Sequence, residues 1–247
     1  MSCDEKPSTA GRRLTRVEKQ AFINASASLK SKARDPHVNK RRHLYDESAA
    51  GVLADLAECG FDVQSVGELR QSGLKYQVAV PVLLGWIPRV SYLPLVEDIV
   101  RTLSVGFAKK DALPVFLHLF RYPPEVEDRM RPETSQPAKE HIRWVIGNGL
   151  GIFASPAVAD ELISLAMARE YGDARSQIVL NLPKVKSGDV PRVLLELLDD
   201  PTVAASAIEA LGKMKFVEAR ERIERLLDHS DTNVRKQAKK ALKRIGG

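Results

Sequence analysis

Histidine, cysteine, glycine-rich and tryptophan positions are where this chain could do chemistry, and their spacing excludes most of it. The five histidines, His37, His43, His118, His141 and His229, include no i, i+4 pair and no cysteine partner at zinc-ligand spacing, so no metal site is expected. His118 and His141 could meet only across adjacent helices, where they read as surface or half-buried residues. Cys3 and Cys59 lie at unrelated positions and give no disulfide framework. Cys59, before Gly60 and without a basic neighbour, reads as a small packing residue. The run Gly147-Asn148-Gly149-Leu150-Gly151 lacks the spacing of a dinucleotide fingerprint and falls within a helical pattern rather than after a strand. No phosphate loop or nucleophile elbow occurs. The expectation is a non-catalytic chain without a cofactor.

One constellation remains, and it is suited to binding. At 100° per residue, Ile142, Val145, Ile146, Leu150, Ile152 and Phe153 fill an arc of about 160°. Trp144 falls near the middle of the opposite arc, with Gly147 and Gly151 beside it and Asn148 one turn on. Glycine in a helix interior costs up to ~1 kcal/mol relative to alanine, so two on one face imply close approach by another body. One reading is a neighbouring helix, with Trp144 as its filler. The sharper reading is a shallow notch floored by Gly147 and Gly151 and edged by Trp144, Asn148 and Arg143.

The elements that must position these residues repeat. One apolar register runs through Ile142, Ile146 and Leu150, then Ala174, Ile178 and Leu182, then Val203, Ala207 and Leu211, then Val234, Ala238 and Leu242, a period of 29 to 32 residues. A second runs through Leu162 and Leu165, Leu194 and Leu197, Ile223 and Leu226. Both have helical spacing, so each period is a pair of amphipathic helices, the signature of a stacked α-solenoid. Upstream, Val80-Pro81-Val82 and Leu84 recur 33 residues later as Leu113-Pro114-Val115 and Leu117, with Leu95, Ile99 and Leu103 as the second helix between them. The register carries Trp144 onto Glu97, Ser176, Ala205 and Lys236, and the next row onto Arg101, Leu180, Glu209 and Lys240. Glu97 and Arg101 thereby join the candidate face. Asp200-Pro201 and Ser155-Pro156 each place a capping side chain before a proline.

At Asp200-Pro201-Thr202-Val203 through Ala207-Ile208-Glu209-Ala210-Leu211-Gly212-Lys213, and at Asn233 to Ala238 with Ala241-Leu242, the chain resembles the HEAT-repeat family. The likeness is to the short-repeat type first noticed in phycobilisome lyases, and it covers about two thirds of the chain. It implies helix pairs stacked into a curved array whose second helices line the concave side. It implies no activity, because this repeat serves lyase subunits, DNA glycosylases and plain scaffolds.

The expected organisation is all-α, an α-solenoid of about five HEAT-like pairs over residues 76–247 behind an N-terminal helical cap at 14–75 and a disordered basic tail at 1–13. Within the cap, Leu14 to Leu29, Tyr45 to Cys59 and Asp62 to Leu69 read as helices, with Gly60 and Gly73 as stops and Lys40-Arg41-Arg42 as a basic linker. A Pro-rich insertion at 121–139, with four prolines, interrupts the repeat. A loop of that length is expected to be functional or disordered, and it is placed to fold over the notch.

Charge is uneven. Residues 1–42 hold 11 Lys/Arg against 4 Asp/Glu and residues 230–247 hold 6 against 1, so with a total of +6 the middle is net −6. The C-terminal cluster reads as the solvated outer face of a capping helix. The N-terminal segment, with Arg12, Arg13, Lys40, Arg41 and Arg42, is the expected polyanion contact, including nucleic acid. The longest apolar run, Val78 to Ile87, is too short to span a bilayer, and the first residues lack an apolar signal segment. A soluble cytoplasmic protein without membrane contact is expected.

Two functional classes follow. The first is a protein-interaction module or scaffold presenting a helical groove to a protein or peptide. The alternative is nucleic-acid binding or base-excision chemistry like that of HEAT-like alkylpurine glycosylases, whose clefts pair aromatic residues with a carboxylate and basic phosphate contacts. Only Trp86 and Trp144 are present, and the second helices offer Glu97, Asp98 and Glu209 instead of a basic track. The interaction module leads.

The local register yields a first prediction. Truncation from about Phe216 removes the last pair and bares the apolar face between Leu194 and Leu211, so the shortened protein should aggregate or melt earlier. A truncated protein that stays monomeric with unchanged melting would contradict nearest-neighbour stacking.

Overall fold

Helix pairs, each unable to bury its apolar face alone, account for most of the molecule. The computed structural model describes residues 36–130 and 135–246. It is all-α, with one isolated bridge and no strand among the described residues. The chain divides into two units between His43 and Leu44. The expected tail at 1–13, with Arg12 and Arg13, and the expected helix from Leu14 to Leu29 lie outside the described residues.

Helix α1 spans Pro36–Glu58. Lys40, Arg41 and Arg42 are therefore helical and exposed, not a linker. Proline suits the first turn of a helix, and nothing after it breaks the helix before Gly60. There the chain turns in the left-handed region (φ 89°), with Gly60 and Phe61 N–H groups donating to the Ala57 and Leu56 carbonyls at 2.9 Å each. This closure satisfies carbonyls that the helix end would leave bare.

The second cap helix is shorter than expected: α2 is Glu68–Gln71 alone. The residues before it are held by side chains instead. Gln64 N–H donates to Glu68 Oε2 at 2.8 Å and Gly67 N–H to Asp98 Oδ2 at 2.8 Å. Asp98 also accepts from the Tyr45 hydroxyl at 2.6 Å and from Arg70 at 2.8 Å. Burial, and then the Asp98 hydrogen bond, raise the Tyr45 phenol well above its ordinary pKa, which keeps it a donor. One carboxylate thus ties residues 45–70 to the array.

Among the described residues five helix pairs follow, each a first helix and a second: α3 (Val80–Trp86) with α4 (Leu93–Leu103), α5 (Lys109–Arg121) with α6 (Ser135–Phe153), α7 (Ala159–Met167) with α8 (Ser176–Asn181), α9 (Val190–Glu196) with α10 (Ala204–Met214), and α11 (Arg220–Glu224) with α12 (Thr232–Ile245). Second helices stack on second helices in succession, α4 on α6, α6 on α8, α8 on α10 and α10 on α12. The register residues form the core. Leu95, Ile99, Leu103, Ile142, Ile146, Leu150, Ile178, Leu182, Ala207 and Leu211 are inaccessible to solvent, each a burial of the order of 1–3 kcal/mol.

Three details depart from the sequence reading. In α3 and α5 the deepest residues are Leu83 and Phe116, with Ile87 and Phe120 one turn on. They keep the 33-residue offset, but Val82, Leu84, Leu113 and Leu117 are only half-buried, because α3 is apolar nearly all round and packing selects its face. Ile152, placed in the α6 core arc, is 51% exposed while Phe153 beside it is buried, since Ile152 lies at the edge of that arc. Ser155 makes no capping bond and its hydroxyl accepts from Lys109 Nζ at 2.7 Å.

A buried ion pair joins the third and fourth repeats. Arg175 is 1% exposed and Asp200 3%. Arg175 donates to Asp200 Oδ2 at 2.9 Å, to the Ala166 carbonyl at 2.9 Å and to the Gly172 carbonyl at 3.0 Å. The Gly172 contact needs a left-handed turn (φ 51°) that glycine supplies without strain. Asp200 Oδ1 accepts the Thr202 N–H at 3.0 Å. Burial alone would raise the Asp200 carboxyl, but the Arg175 and Thr202 hydrogen bonds outweigh it and hold the carboxyl below its ordinary pKa. The carboxylate therefore stabilises the fold at neutral pH, and that contribution is lost only as pH falls through the lowered value.

Asp200→Ala should cost about 3–5 kcal/mol in urea unfolding, because it strands a buried guanidinium, whereas Arg175→Met with Asp200→Leu should recover much of that. A single-variant loss below ~1 kcal/mol, the scale of an exposed pair, would show that the clip does not hold the repeats.

Candidate interaction surface

The second helices turn their core rows inward, and the rows opposite remain open from pair to pair. Glu97, Trp144, Ser176, Ala205 and Lys236 are all half-buried or exposed, as are Arg101, Asn148, Leu180, Glu209 and Lys240 one turn on. The repeat register thus delivers a continuous accessible face.

Around Trp144 this face becomes a groove of about 630 Å³ lined by Pro137, Glu140, His141, Trp144, Asp173 and Ala174. Helix α6 supplies the first four and the 3-10 turn before α8 the last two. His141 lies beside Trp144, with ring centroids 6.5 Å apart and planes at 25°. His141 Nε2 is 3.0 Å from Glu97 Oε2, and Arg101 donates to Glu97 Oε1 at 2.8 Å. Burial would push the Glu97 carboxyl up, but the hydrogen bonds from His141 and Arg101 prevail and hold it below its ordinary pKa. Glu97, Arg101, His141 and Trp144 are thereby brought together across α4 and α6.

Arg143 is not a free rim donor. It donates to the Phe120 carbonyl at 3.0 Å and to Glu140 at 2.6 Å, and its guanidinium lies 5.5 Å from the centre of the Tyr171 ring. Asp173, exposed on the far rim, accepts from the Ser176 hydroxyl at 2.6 Å. No carboxylate-bearing or histidine cluster able to hold a metal occurs among the described residues. Trp86 is also half-buried, but its indole N–H donates to Asp55 at 2.7 Å and its ring covers Gly51.

The glycine floor is a correction. Gly147 and Gly151 are buried, and the body that approaches them is α8 with its preceding turn. A Cβ on Gly147 would lie 2.4 Å from the Ala174 carbonyl oxygen, and one on Gly151 2.8 Å from that of Gln177. Gly149 serves the opposite side, against Phe116 and Ser104. The glycines let α6 sit tightly between its neighbours, and the groove is formed by side chains above them.

Of the expected insertion, Pro137 alone among the described residues lines the groove at Trp144. Helix α6 begins at Ser135, inside the segment expected to be loop, because Pro137 is tolerated in a first turn. From Tyr122 to Met130 the chain runs back to the α3–α4 turn. Glu127 N–H donates to the Ser91 carbonyl at 2.8 Å, Leu93 N–H to the Glu127 carbonyl at 3.0 Å, and Val126 is buried. Residues 131–134 lie outside the described residues.

His141, Glu140 and Asp173 were missed as site residues. His141 sits one turn before Trp144 on the same face, a signal the sequence did contain. Asp173 belongs to the next repeat, and only stacking brings it to the groove.

A family model for HEAT repeats matches residues 191–247, the segment of α9 to α12. No curated protein and no solved structure matches the chain.

The packing of the glycines makes a prediction of sign. Gly85, in α3, has nothing within 4 Å of a built Cβ, so Gly85→Ala should stabilise by up to ~1 kcal/mol through helix propensity. Gly147→Ala should instead destabilise by about 1–3 kcal/mol in urea unfolding, because its methyl meets backbone. Equal gains in the two variants would mean that α8 does not seat against α6.

Proposed function

We propose, for a chain whose residues 191–247 are HEAT repeats, that it is a non-catalytic interaction module whose protein partner docks along the second-helix face and places a cationic side chain beside Trp144. HEAT repeats generally mediate protein–protein contacts or scaffolding. The groove at Trp144 is the observation that carries the finer reading. An indole offers a large apolar contact at small entropic cost, the kind of residue that dominates interface energetics. Its face also attracts a lysine or arginine head group within about 6 Å.

The rim selects the same charge. Glu140 and Asp173 line the groove, and Asp173 has no cation partner among the described residues. A partner lysine or arginine would meet the indole on one side and this carboxylate on the other. Base-excision chemistry is less well supported. Glu97 is engaged by Arg101 and His141, and Glu140 by Arg143, so neither stands ready as a general base. No helix among the described residues is long and apolar enough to cross a membrane, which accords with a partner met in water.

The test uses the Trp86→Phe protein, in which Trp144 is the sole tryptophan. Arginine-rich pentapeptides should shift its emission with saturation, glutamate-rich ones should not, and Asp173→Lys should weaken the arginine peptide about tenfold, or ~1.4 kcal/mol. Trp144→Ala should abolish capture of the same peptides on a surface while melting normally. An emission indifferent to peptide charge, or an Asp173→Lys protein that binds equally well, refutes the proposed contact.

A further inference from the structure

At the last repeat the open second-helix face changes its chemistry. Helix α12 carries Lys236, Lys239, Lys240, Lys243 and Arg244, all exposed. At 100° per residue they fall within an arc of about 140° opposite the buried Val234, Ala238 and Ala241. None of the five has a carboxylate partner among the described residues. The cations around them do: Arg220 with Glu224, Arg222 with Asp199, Arg225 with Glu221 and Lys213 with Glu209. Helix α11 is balanced charge against charge, whereas α12 is not.

Lys243 and Arg244 suit the dipole of the last turn, but the imbalance otherwise works against the helix. Lys236 and Lys240, Lys239 and Lys243, and Lys240 and Arg244 are like charges at i, i+4, which repel on a helix surface. A face needed only for solubility is met by mixed charge, as on α11. The segment is nevertheless firmly built. Asp231 Oδ1 accepts the Asn233 and Val234 N–H groups at 2.6 and 3.2 Å, and Arg235 is tied to the His229 and Ser230 carbonyls at 2.6 and 2.8 Å. A depression of about 450 Å³ lies among Thr232, Arg235, Lys236, Lys239 and Lys240.

We infer that this face of α12 binds the phosphodiester backbone of double-stranded nucleic acid. The lining of the depression selects among anionic partners. It contains no apolar or aromatic residue, so a protein docked there would lack the buried anchor that protein interfaces use. The apolar residues of α12 are buried (Val234, Ala238 and Ala241) or half-buried and packed against the core (Leu242 and Ile245), so none stands free on the lysine face to enter a membrane interface. With no aromatic side chain on α12, bases of a single strand have nothing to stack on. A rigid row of cations about 6 Å apart per helical turn suits regularly spaced phosphates, read without regard to sequence.

The experiment measures anisotropy of labelled duplex DNA and duplex RNA, each of about 20 base pairs, with the full chain across a salt series. Lys239→Gln, Lys240→Gln and Lys243→Gln combined should weaken binding at least tenfold and flatten the log–log salt slope by about 2–3, near 0.9 per lost phosphate contact. Melting of this variant should be unchanged or higher, because like-charge repulsion is relieved, and the triple Lys→Arg variant should bind as the wild type does. Arg220→Gln with Arg225→Gln serves as the control on paired cations and should leave binding intact. Unchanged affinity and slope in the triple glutamine variant overturns the proposal. So does binding lost only when Arg12, Arg13, Lys40, Arg41 and Arg42 are neutralised, or poly-glutamate or phosphatidylserine vesicles held as tightly as the duplex.

Discussion

Close approach between successive second helices is what holds this molecule together. A single helix pair leaves an apolar face bare, and only the next pair can cover it. The gap is set by residues without side chains. Gly149 admits Phe116 and Ser104 on one side of α6, while Gly147 and Gly151 admit the Ala174, Gln177 and Asn181 region on the other. In α10, Gly212 stands at the register position of Gly151 and lies against Ala241 of α12. This spacing decides which side chains can meet across helices. His141 reaches Glu97 on the preceding second helix, and Trp144 shares a groove with Asp173 of the following repeat.

Electrostatics divides into two regimes. The Arg175–Asp200 pair is dry, multiply hydrogen-bonded and joins adjacent repeats, so breaking one side leaves an uncompensated charge in low dielectric. The exposed pairs of α10 and α11 are each worth at most about 1 kcal/mol and are screened by salt. Their effect lies in the surface they present. Carboxylates of α4, α6 and the turn before α8 gather around Trp144, and unpaired lysines gather on α12. One open face therefore has two regions of opposite charge, acidic beside Trp144 and basic on α12, and this asymmetry suits separate partners.

The insertion shows how a loop can serve the scaffold. Residues 122–130 bond to the α3–α4 turn through the paired Ser91, Leu93 and Glu127 backbone groups. Arg129 lies over the Tyr92 ring, its guanidinium 5.9 Å from the centroid. Lys139 at the start of α6 holds Glu125 at 2.6 Å. Residues 122–130 are tied to the array at Glu125, Glu127 and Arg129, and none of them lines the groove beside Trp144.

Local pattern in the sequence is enough for the periodic part. Ile142, Ile146 and Leu150 and their counterparts repeat because helical periodicity and burial are both local properties of the chain. Spacing alone, through the same register, places Trp144, Glu97, Lys236 and Lys240 on one open face. The α12 charge is equally legible, though not its lack of partners. Which body meets the glycines is not legible, because a missing side chain records that something approaches and not what. Stacking settles that, and it also consumes Arg143 on Phe120 and Glu140, completes the groove with Asp173, and holds Asp62 to Gly67 in turns around Asp98 in place of a helix. In each case the deciding partner belongs to another element or another repeat. Its distance is fixed by how the helices pack, which no local pattern encodes.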